Sequence, residues 1–249
     1  MAFQVRATVI GYDGDNEKYP CHFQHKVGDK FIWDGEKFIG RICPYVAGAV
    51  ITRMLNLAMA GPRHPEPLYY APFWYAPVSR RDPSRKKYDG LGFRNVLESV
   101  TEPPEHRASL QPKGANTWPP PKERTVAKDD IVICPDTRTS VILKLEAFDL
   151  CDKGDSIPYF RRQMSILNKV RAKPGVLAGE ILGEFSKDEI EIPYPALSQI
   201  LVQALNEELA LMGYLQIRSG KAYVTPSGRR KLQSFQRSLS AKEKAALRM

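Results

Sequence analysis

Short apolar segments of the kind that form β-strands make up most of the first 150 residues. They are rich in β-branched and aromatic side chains and are bounded by turn-forming Gly, Asp and Pro. Asp34-Gly35 separates two of them and predicts a β-hairpin, because this dipeptide readily takes the positive φ angles of a two-residue turn. The predicted strands cover residues 5–10, 30–33, 36–39, 131–134 and 140–147.

The apolar spacing changes to a helical period after Cys43. Val46, Val50 and Met54 recur every four residues, so residues 44–60 predict a helix. Gly61-Pro62 follows directly and is expected to end it. Residues 1–150 are therefore predicted to be a β-rich domain with one long helix.

The C-terminal part of the chain is mainly helical, with one hairpin. Pro195 suits the first turn of a helix, and Thr225-Pro226 is typical of a helix start. Ser219-Gly220 lies between two short apolar segments and predicts a tight turn. The predicted helices cover residues 157–172, 176–185 and a longer stretch from Pro195 to Met212, and the predicted hairpin strands cover residues 214–217 and 222–225.

A stretch rich in Pro and aromatic residues, residues 62–127, interrupts the β-rich domain. A structureless loop of this length is unusual in a compact domain, and disordered segments are normally poor in aromatic residues. We therefore expect an extended arm that packs on its own domain or on a protein partner, including a second copy of the chain. An alternative is that the aromatic run at 69–77 stacks on nucleic-acid bases beside Arg80 and Arg81.

The net charge of +9 is concentrated in two segments. Residues 228–249 hold seven Lys or Arg and one Glu, and residues 62–127 hold eleven Lys or Arg and seven Asp or Glu. Such segments can contact nucleic acid, an anionic membrane surface or an acidic partner, and they can equally be solvated. No apolar run reaches the roughly 18 residues that span a bilayer, and the first residues lack signal-peptide features. We expect a cytoplasmic protein without a membrane span.

The C-terminal order of helix, helix, long helix, hairpin and helix resembles a winged-helix domain of the PadR and MarR type. The resemblance covers about residues 157–239 and includes Tyr194-Pro195-Ala196-Leu197, residues 209–215 and residues 223–229. It implies that the third helix enters the DNA major groove and that the hairpin, or wing, contacts the backbone. The candidate nucleic-acid-binding residues are Arg218, Lys221, Arg229, Arg230 and Lys231.

The composition of the third helix argues against DNA binding. Phosphate contacts need Lys or Arg, yet residues 188–217 contain neither. Glu207 and Glu208 would be repelled by a phosphate backbone. We therefore expect a protein-interaction or dimerisation role for this domain, with DNA binding as the alternative.

A cysteine pattern marks the N-terminal domain: Cys21, His25, Gly28-Asp29, Cys43-Pro44 and Cys134-Pro135. A Cys, a His four residues later, a Gly-Asp step and two Cys-Pro steps resemble an uncharacterised family of small prokaryotic proteins. The resemblance covers about residues 3–148, apart from the long insert. It implies a fold and a site, but it does not indicate which reaction, if any, takes place there.

Three thiolates and one imidazole form a complete tetrahedral shell for a structural zinc ion. Cys21, His25, Cys43 and Cys134 are therefore candidate zinc ligands, although no Cys-x-x-Cys motif is present. Two alternatives remain open: the cysteines are small buried core residues, or one is a reactive thiol beside His25.

These observations predict an α+β protein with three parts: a β-rich Cys/His domain at 1–150, a winged-helix-like domain at 155–239 and a basic tail at 240–249. The first hypothesis is a non-enzymatic regulatory or adaptor protein that couples the Cys/His site to the winged helix. The second is an enzyme, or an accessory subunit of an enzyme complex, with a metal or reactive thiol at the same cysteines. A closed four-ligand site favours the first, and an open three-ligand site favours the second.

Overall fold

The computed structural model describes residues 2–13, 15–61, 129–134 and 139–249 of the chain. These residues form a mixed structure of helices and sheet, which confirms the predicted α+β class. They divide into two compact units: the sheet unit, Val5–Ala147, and the helical unit, Phe148–Met249 together with Met1–Gln4. The predicted insert at 62–127 and its aromatic run lie outside the described residues. No helix in the described part is long and apolar enough to cross a bilayer.

The sheet unit contains one five-stranded sheet and one long helix. The elements are β1 (Phe3–Asp13), β2 (Lys30–Trp33), β3 (Phe38–Ile39), helix α1 (Pro44–Ala60), β4 (Asp129–Ile133) and β5 (Ser140–Leu150). The strand order is β3-β2-β1-β5-β4, and the pairs β1–β2, β2–β3 and β4–β5 are antiparallel. Helix α1 has the predicted bounds and ends at Gly61.

The hairpin between β2 and β3 is present, but its predicted two-residue turn is wrong. Trp33 pairs with Phe38, so the turn contains four residues, Asp34 to Lys37. The Asp34 carboxylate accepts the backbone N–H groups of Glu36 and Lys37 at 3.0 and 2.9 Å. This side-chain turn satisfies two backbone donors within the loop.

The core of the sheet unit lies between one face of the sheet and α1. Val5, Ala7 and Val9 are buried and alternate with partly exposed residues, as expected for a strand with one buried face. Val50 and Met54 of α1 belong to the same apolar cluster. Three cysteines, described below, are part of this cluster as well.

The helical unit contains five α-helices and a two-stranded hairpin in its described residues. Ser219 and Gly220 both have positive φ angles, 48° and 76°, and form the predicted two-residue turn. Thr225 accepts the Gly228 N–H at 3.0 Å and begins the last long helix, as predicted. The elements are α2 (Ile157–Ala172), α3 (Lys187–Glu191), α4 (Gln199–Leu211), β6 (Leu215–Arg218), β7 (Lys221–Val224), α5 (Pro226–Ser238) and α6 (Ala241–Leu247), with 3-10 helices at Gly154–Ser156 and Ala178–Glu184.

A short extended segment before the second 3-10 helix pairs with the hairpin. The Gly175 N–H donates to the Ala222 carbonyl at 2.9 Å, and the Ala222 N–H donates to the Val176 carbonyl at 2.8 Å. Leu177 and Lys221 form an antiparallel bridge. The hairpin therefore has a third strand-like neighbour from the segment that follows α2.

Two helix predictions in this unit are wrong. Residues 176–185 do not form an α-helix, because the first of them pair with the hairpin and the rest form the 3-10 helix Ala178–Glu184. The third helix begins at Gln199 instead of near Pro195. Ser198 is its N-cap and accepts the Leu201 N–H at 3.2 Å.

The predicted basic tail at 240–249 contains helix α6. Ser240 and Glu243 form a reciprocal capping box at its start. Glu243 also pairs with Arg161 of α2 at 2.8 Å, and Arg248 lies 3.5 Å from Asp188 of α3. Since α6 buries none of its residues, these polar contacts are what hold it against the helical unit.

Candidate functional site

The four predicted zinc ligands are all buried in the sheet unit. None of Cys21, His25, Cys43 and Cys134 is more than 6% exposed, and the three cysteines belong to the apolar core. Among the described residues, however, no group of three or more His, Cys, Asp or Glu side chains is placed to hold a metal ion. The zinc site stays a prediction, without geometric support.

Each of the three cysteines has a local backbone role. Cys21 donates its N–H to the Asn16 side chain at 2.9 Å and accepts the Gln24 N–H at 2.8 Å. Cys43 is the N-cap residue of α1. Cys134 follows β4 and continues its pairing with Val141 at 2.8 Å. Small apolar side chains are buried in the same way, so these positions also fit the interpretation of the cysteines as core residues.

His25 lies at the edge of this core, and its two ring nitrogens differ in their hydrogen bonding. Its Nδ1 is 3.4 Å from an Asp29 carboxylate oxygen, whereas its buried Nε2 has no hydrogen-bond partner among the described residues. The Lys26 N–H donates to the same Asp29 carboxylate at 2.9 Å and is the main cause of the lowered pKa of Asp29. His25, Asp29 and Arg41 line a cavity of about 10 Å³, a volume that suits one water molecule and excludes a substrate.

We expect the four cysteine thiols to react slowly with a chromogenic disulfide reagent in the native protein, because burial denies the reagent access. All four should react quickly in guanidinium chloride. The measurement is a thiol titration of the wild type and of four single Cys→Ser variants, with zinc content determined on the same samples.

Two results would contradict this interpretation in different ways. One rapidly reacting thiol in the native protein would favour the reactive-thiol hypothesis, and the variant that loses it would identify the residue. Stoichiometric zinc that disappears on substitution of Cys21, Cys43 or Cys134 would instead favour the zinc hypothesis.

The predicted phosphate-binding cations of the helical unit differ in their surroundings. Arg218 and Lys221 at the hairpin tip and Arg229 and Arg230 on α5 are exposed. Lys231 points inward and pairs with Asp149 at 2.7 Å, with only 17% of its side chain exposed.

The Lys231 ion pair belongs to a small buried network. The Tyr214 hydroxyl donates to the other Asp149 oxygen at 2.6 Å, and burial together with this carboxylate raises the pKa of Tyr214. The Lys231 ammonium also lies 5.3 Å from the centre of the Phe160 ring. These contacts hold the Lys231 side chain in the interior of the helical unit.

Helix α4 presents an exposed face without cations. Gln199, Ile200, Gln203 and Glu207 are exposed and recur at helical spacing, whereas Leu205 and Leu209 face the core. This is the helix that would enter a DNA groove. Its exposed face offers amide, apolar and acidic groups instead of the positive charge that phosphates need.

Arg162 of α2 is the central polar residue of the helical unit. It is only 2% exposed, and this burial lowers the pKa of its guanidinium. The guanidinium donates to four backbone carbonyls in α3 and the segment that follows it: Glu189 at 2.5 Å, Ile190 at 2.9 Å, Pro195 at 2.8 Å, and Pro193. Because a buried charge is costly unless it is hydrogen-bonded, the segment is held tightly to α2.

The segment that Arg162 holds, together with the start of α4, carries strongly exposed apolar side chains. Ile200 is 82%, Ile192 76% and Tyr194 72% exposed, the three highest values for large apolar residues in the described part of the chain. We call these three residues the loop face. The Leu197 N–H closes the loop by donating to the Ile190 carbonyl at 3.0 Å, and the Tyr194 ring lies 6.5 Å from that of Tyr159.

The loop face was not among the predicted sites. A usable signal was present, because Ile192-Pro193-Tyr194-Pro195 alternates large apolar residues with prolines that exclude a regular helix. Such a segment cannot bury its side chains by helical packing. The role of Arg162 could not be read from the sequence, since one Arg in a helical pattern normally indicates the solvent-exposed side.

Replacing Arg162 by Met should lower the free energy of unfolding of the helical unit by at least about 1–3 kcal/mol, because buried carbonyls lose their donor. Arg161→Met is the matched control, since Arg161 lies in a partly exposed pair with Glu243 and such pairs contribute at most about 1 kcal/mol. The measurement is urea unfolding followed by far-ultraviolet circular dichroism. Equal effects of the two substitutions would contradict the special role of Arg162.

Comparison with known proteins found no matching family model, no matching curated protein and no matching solved structure. Neither family resemblance drawn from the sequence is tested by this outcome, so both stay predictions. The function must therefore be argued from the arrangement of residues.

Proposed function

We propose that the chain is a non-enzymatic regulatory or adaptor protein. Its helical unit acts as a winged-helix-type module that binds another protein through the loop face. DNA binding by the same module is the less favoured alternative.

The arrangement of the helical unit supports the winged-helix interpretation. Three α-helices precede the β6–β7 hairpin and α5 follows it, although the second of the three, α3, lies at 187–191 and not at the predicted 176–185. The pairing of residues 175–178 with the hairpin adds a third strand beside it. The hairpin tip is exposed, as a wing would be.

The exposure of the loop face is the observation that carries the proposal. Single exposed apolar residues are common on protein surfaces and need no explanation. Here, in contrast, Ile192, Tyr194 and Ile200 fall within nine residues of sequence, and a buried guanidinium holds the backbone that carries Ile192 and Tyr194. A preorganised apolar surface of this kind favours binding, because little conformational entropy is lost when a partner docks.

Electrostatics favour protein over DNA at this surface. Residues 188–217 lack Lys and Arg, and Glu191 and Glu207 are exposed. The exposed cations Arg218, Lys221, Arg229 and Arg230 lie on the hairpin and α5 instead. Phosphate contacts provide most of the non-specific affinity for DNA, so a groove-facing α4 would lack its main source of binding energy.

We expect a photo-crosslinking aromatic amino acid at position 194 to yield a discrete protein adduct in cells that produce the full chain. The same amino acid at position 223, on the wing, is the matched control, since Tyr223 is also a partly exposed tyrosine of the helical unit. Adding Ile200→Asp to the position-194 variant should abolish the adduct, because a carboxylate interrupts the apolar surface.

A DNA-binding titration completes this test. Full-length protein and a labelled duplex at low salt should show no saturable change in fluorescence anisotropy. The proposal would be overturned by saturable DNA binding that weakens steeply with salt and depends on Gln203 of α4, together with no protein adduct at position 194.

A further inference from the structure

Helix α5 carries three exposed arginines on the side that faces away from the core. Arg229, Arg230 and Arg237 are exposed, and so is Gln233, which lies between them in sequence. At about 100° per residue, these four positions fall within an arc of about 100° around the helix and within about 12 Å along it. We call the three arginines the arginine face.

Contacts on the opposite side of α5 fix this orientation. Gly228 and Leu232 are buried, and a Cβ atom at Gly228 would lie 2.1 Å from the Tyr214 carbonyl oxygen. The Phe235 ring contacts that of Phe160 in α2, with the ring centroids 5.4 Å apart. Because these contacts lie across the helix from the arginine face, α5 cannot turn the arginines inward without losing its packing.

No carboxylate neutralises the arginine face within the part of the chain that the structure describes. Helix α5 contains no Asp or Glu, and none of its three exposed arginines forms an ion pair with a described residue. Arg230 donates to the Ser227 hydroxyl at 3.0 Å, which is a neutral partner. Arg229 and Arg230 also lie near the N-terminal end of the helix, where the helix dipole disfavours cations. An anionic partner would offset this unfavourable concentration of charge.

We propose that the arginine face binds an acidic polypeptide segment, one rich in Asp and Glu. A planar guanidinium forms two parallel hydrogen bonds with a carboxylate, and such charge-assisted bonds are stronger than hydrogen bonds between neutral groups. Three guanidiniums along one side of a helix suit several carboxylates of the same segment. This inference goes beyond the proposed function, because it concerns α5 and not the loop face.

Other anionic partners fit the arginine face less well. Affinity for nucleic acid rises with the number of phosphates that a protein neutralises. The arginine face supplies three cations, and residues 188–217, which include the helix that would enter a groove, supply none. Helices that bind anionic membranes insert apolar side chains beside their cations. Helix α5, all of which the structure describes, exposes no large apolar side chain.

The test is a titration of the full chain with fluorescently labelled poly-L-glutamate at low salt, followed by fluorescence anisotropy. The wild type should show saturable binding that weakens as salt is added, because ions screen exposed charges. The triple variant Arg229→Gln, Arg230→Gln and Arg237→Gln should bind at least about tenfold more weakly, because three exposed charge pairs are lost.

A second triple variant is the matched control. Arg171→Gln, Lys187→Gln and Lys221→Gln remove the same charge from exposed positions elsewhere in the helical unit. This variant should bind less than about threefold more weakly, since screened charges act mainly at short range. Urea unfolding should show that the arginine-face variant is at least as stable as the wild type, because its cations do not stabilise the helix.

Three results would overturn the inference. The first is that the wild type shows no saturable binding of poly-L-glutamate. The second is equal weakening by the two triple variants, which would mean that net charge alone attracts the polymer. The third is tighter binding of a labelled nucleic-acid duplex, or of vesicles that contain phosphatidylserine, with the same dependence on the arginine face. The crosslink at position 194 tests the loop face separately, so the two proposals can fail independently.

Discussion

Four hydrogen bonds from one buried guanidinium organise the helical unit. Arg162 needs acceptors because it is removed from water, and the carbonyls of the last turn of α3 and of the irregular segment after it need donors. The guanidinium supplies the donors that the carbonyls need, and the carbonyls supply the acceptors that the guanidinium needs. A lysine could not replace this arrangement, since its ammonium is a compact point charge without the planar fork that reaches several carbonyls at once.

This constraint accounts for both the surface and the proposed activity. With its carbonyls held against α2, the segment leaves Ile192 and Tyr194 exposed and brings the chain to the N-cap Ser198, from which Ile200 projects. Two of the three exposed apolar side chains are thus carried by a backbone that is held in place, which supports the protein-binding role proposed for the loop face.

Regular elements could be predicted from the sequence, whereas the site could not. The bounds of α1 and α2 and the Ser219-Gly220 turn followed from apolar periodicity and turn chemistry, which act locally. The start of α4 was predicted too early because Pro195 suits a first helical turn, yet its carbonyl is bound to Arg162, 33 positions earlier in the chain. Such long-range contacts leave no periodic signal. The same limit applies to the cysteines. Their burial in the core was one of the alternatives drawn from the sequence, but the residues that surround them depend on how the whole sheet forms.

Amide hydrogen exchange at Leu197 measures whether Arg162 holds the loop in place. The Leu197 N–H bonds to the Ile190 carbonyl at 3.0 Å and reports on closure of the loop. The Leu197 amide should be protected in the wild type and lose most of its protection in Arg162→Lys. The Ala222 amide, which bonds to the Val176 carbonyl, should remain protected in both. Equal protection of Leu197 in the two proteins would contradict the account.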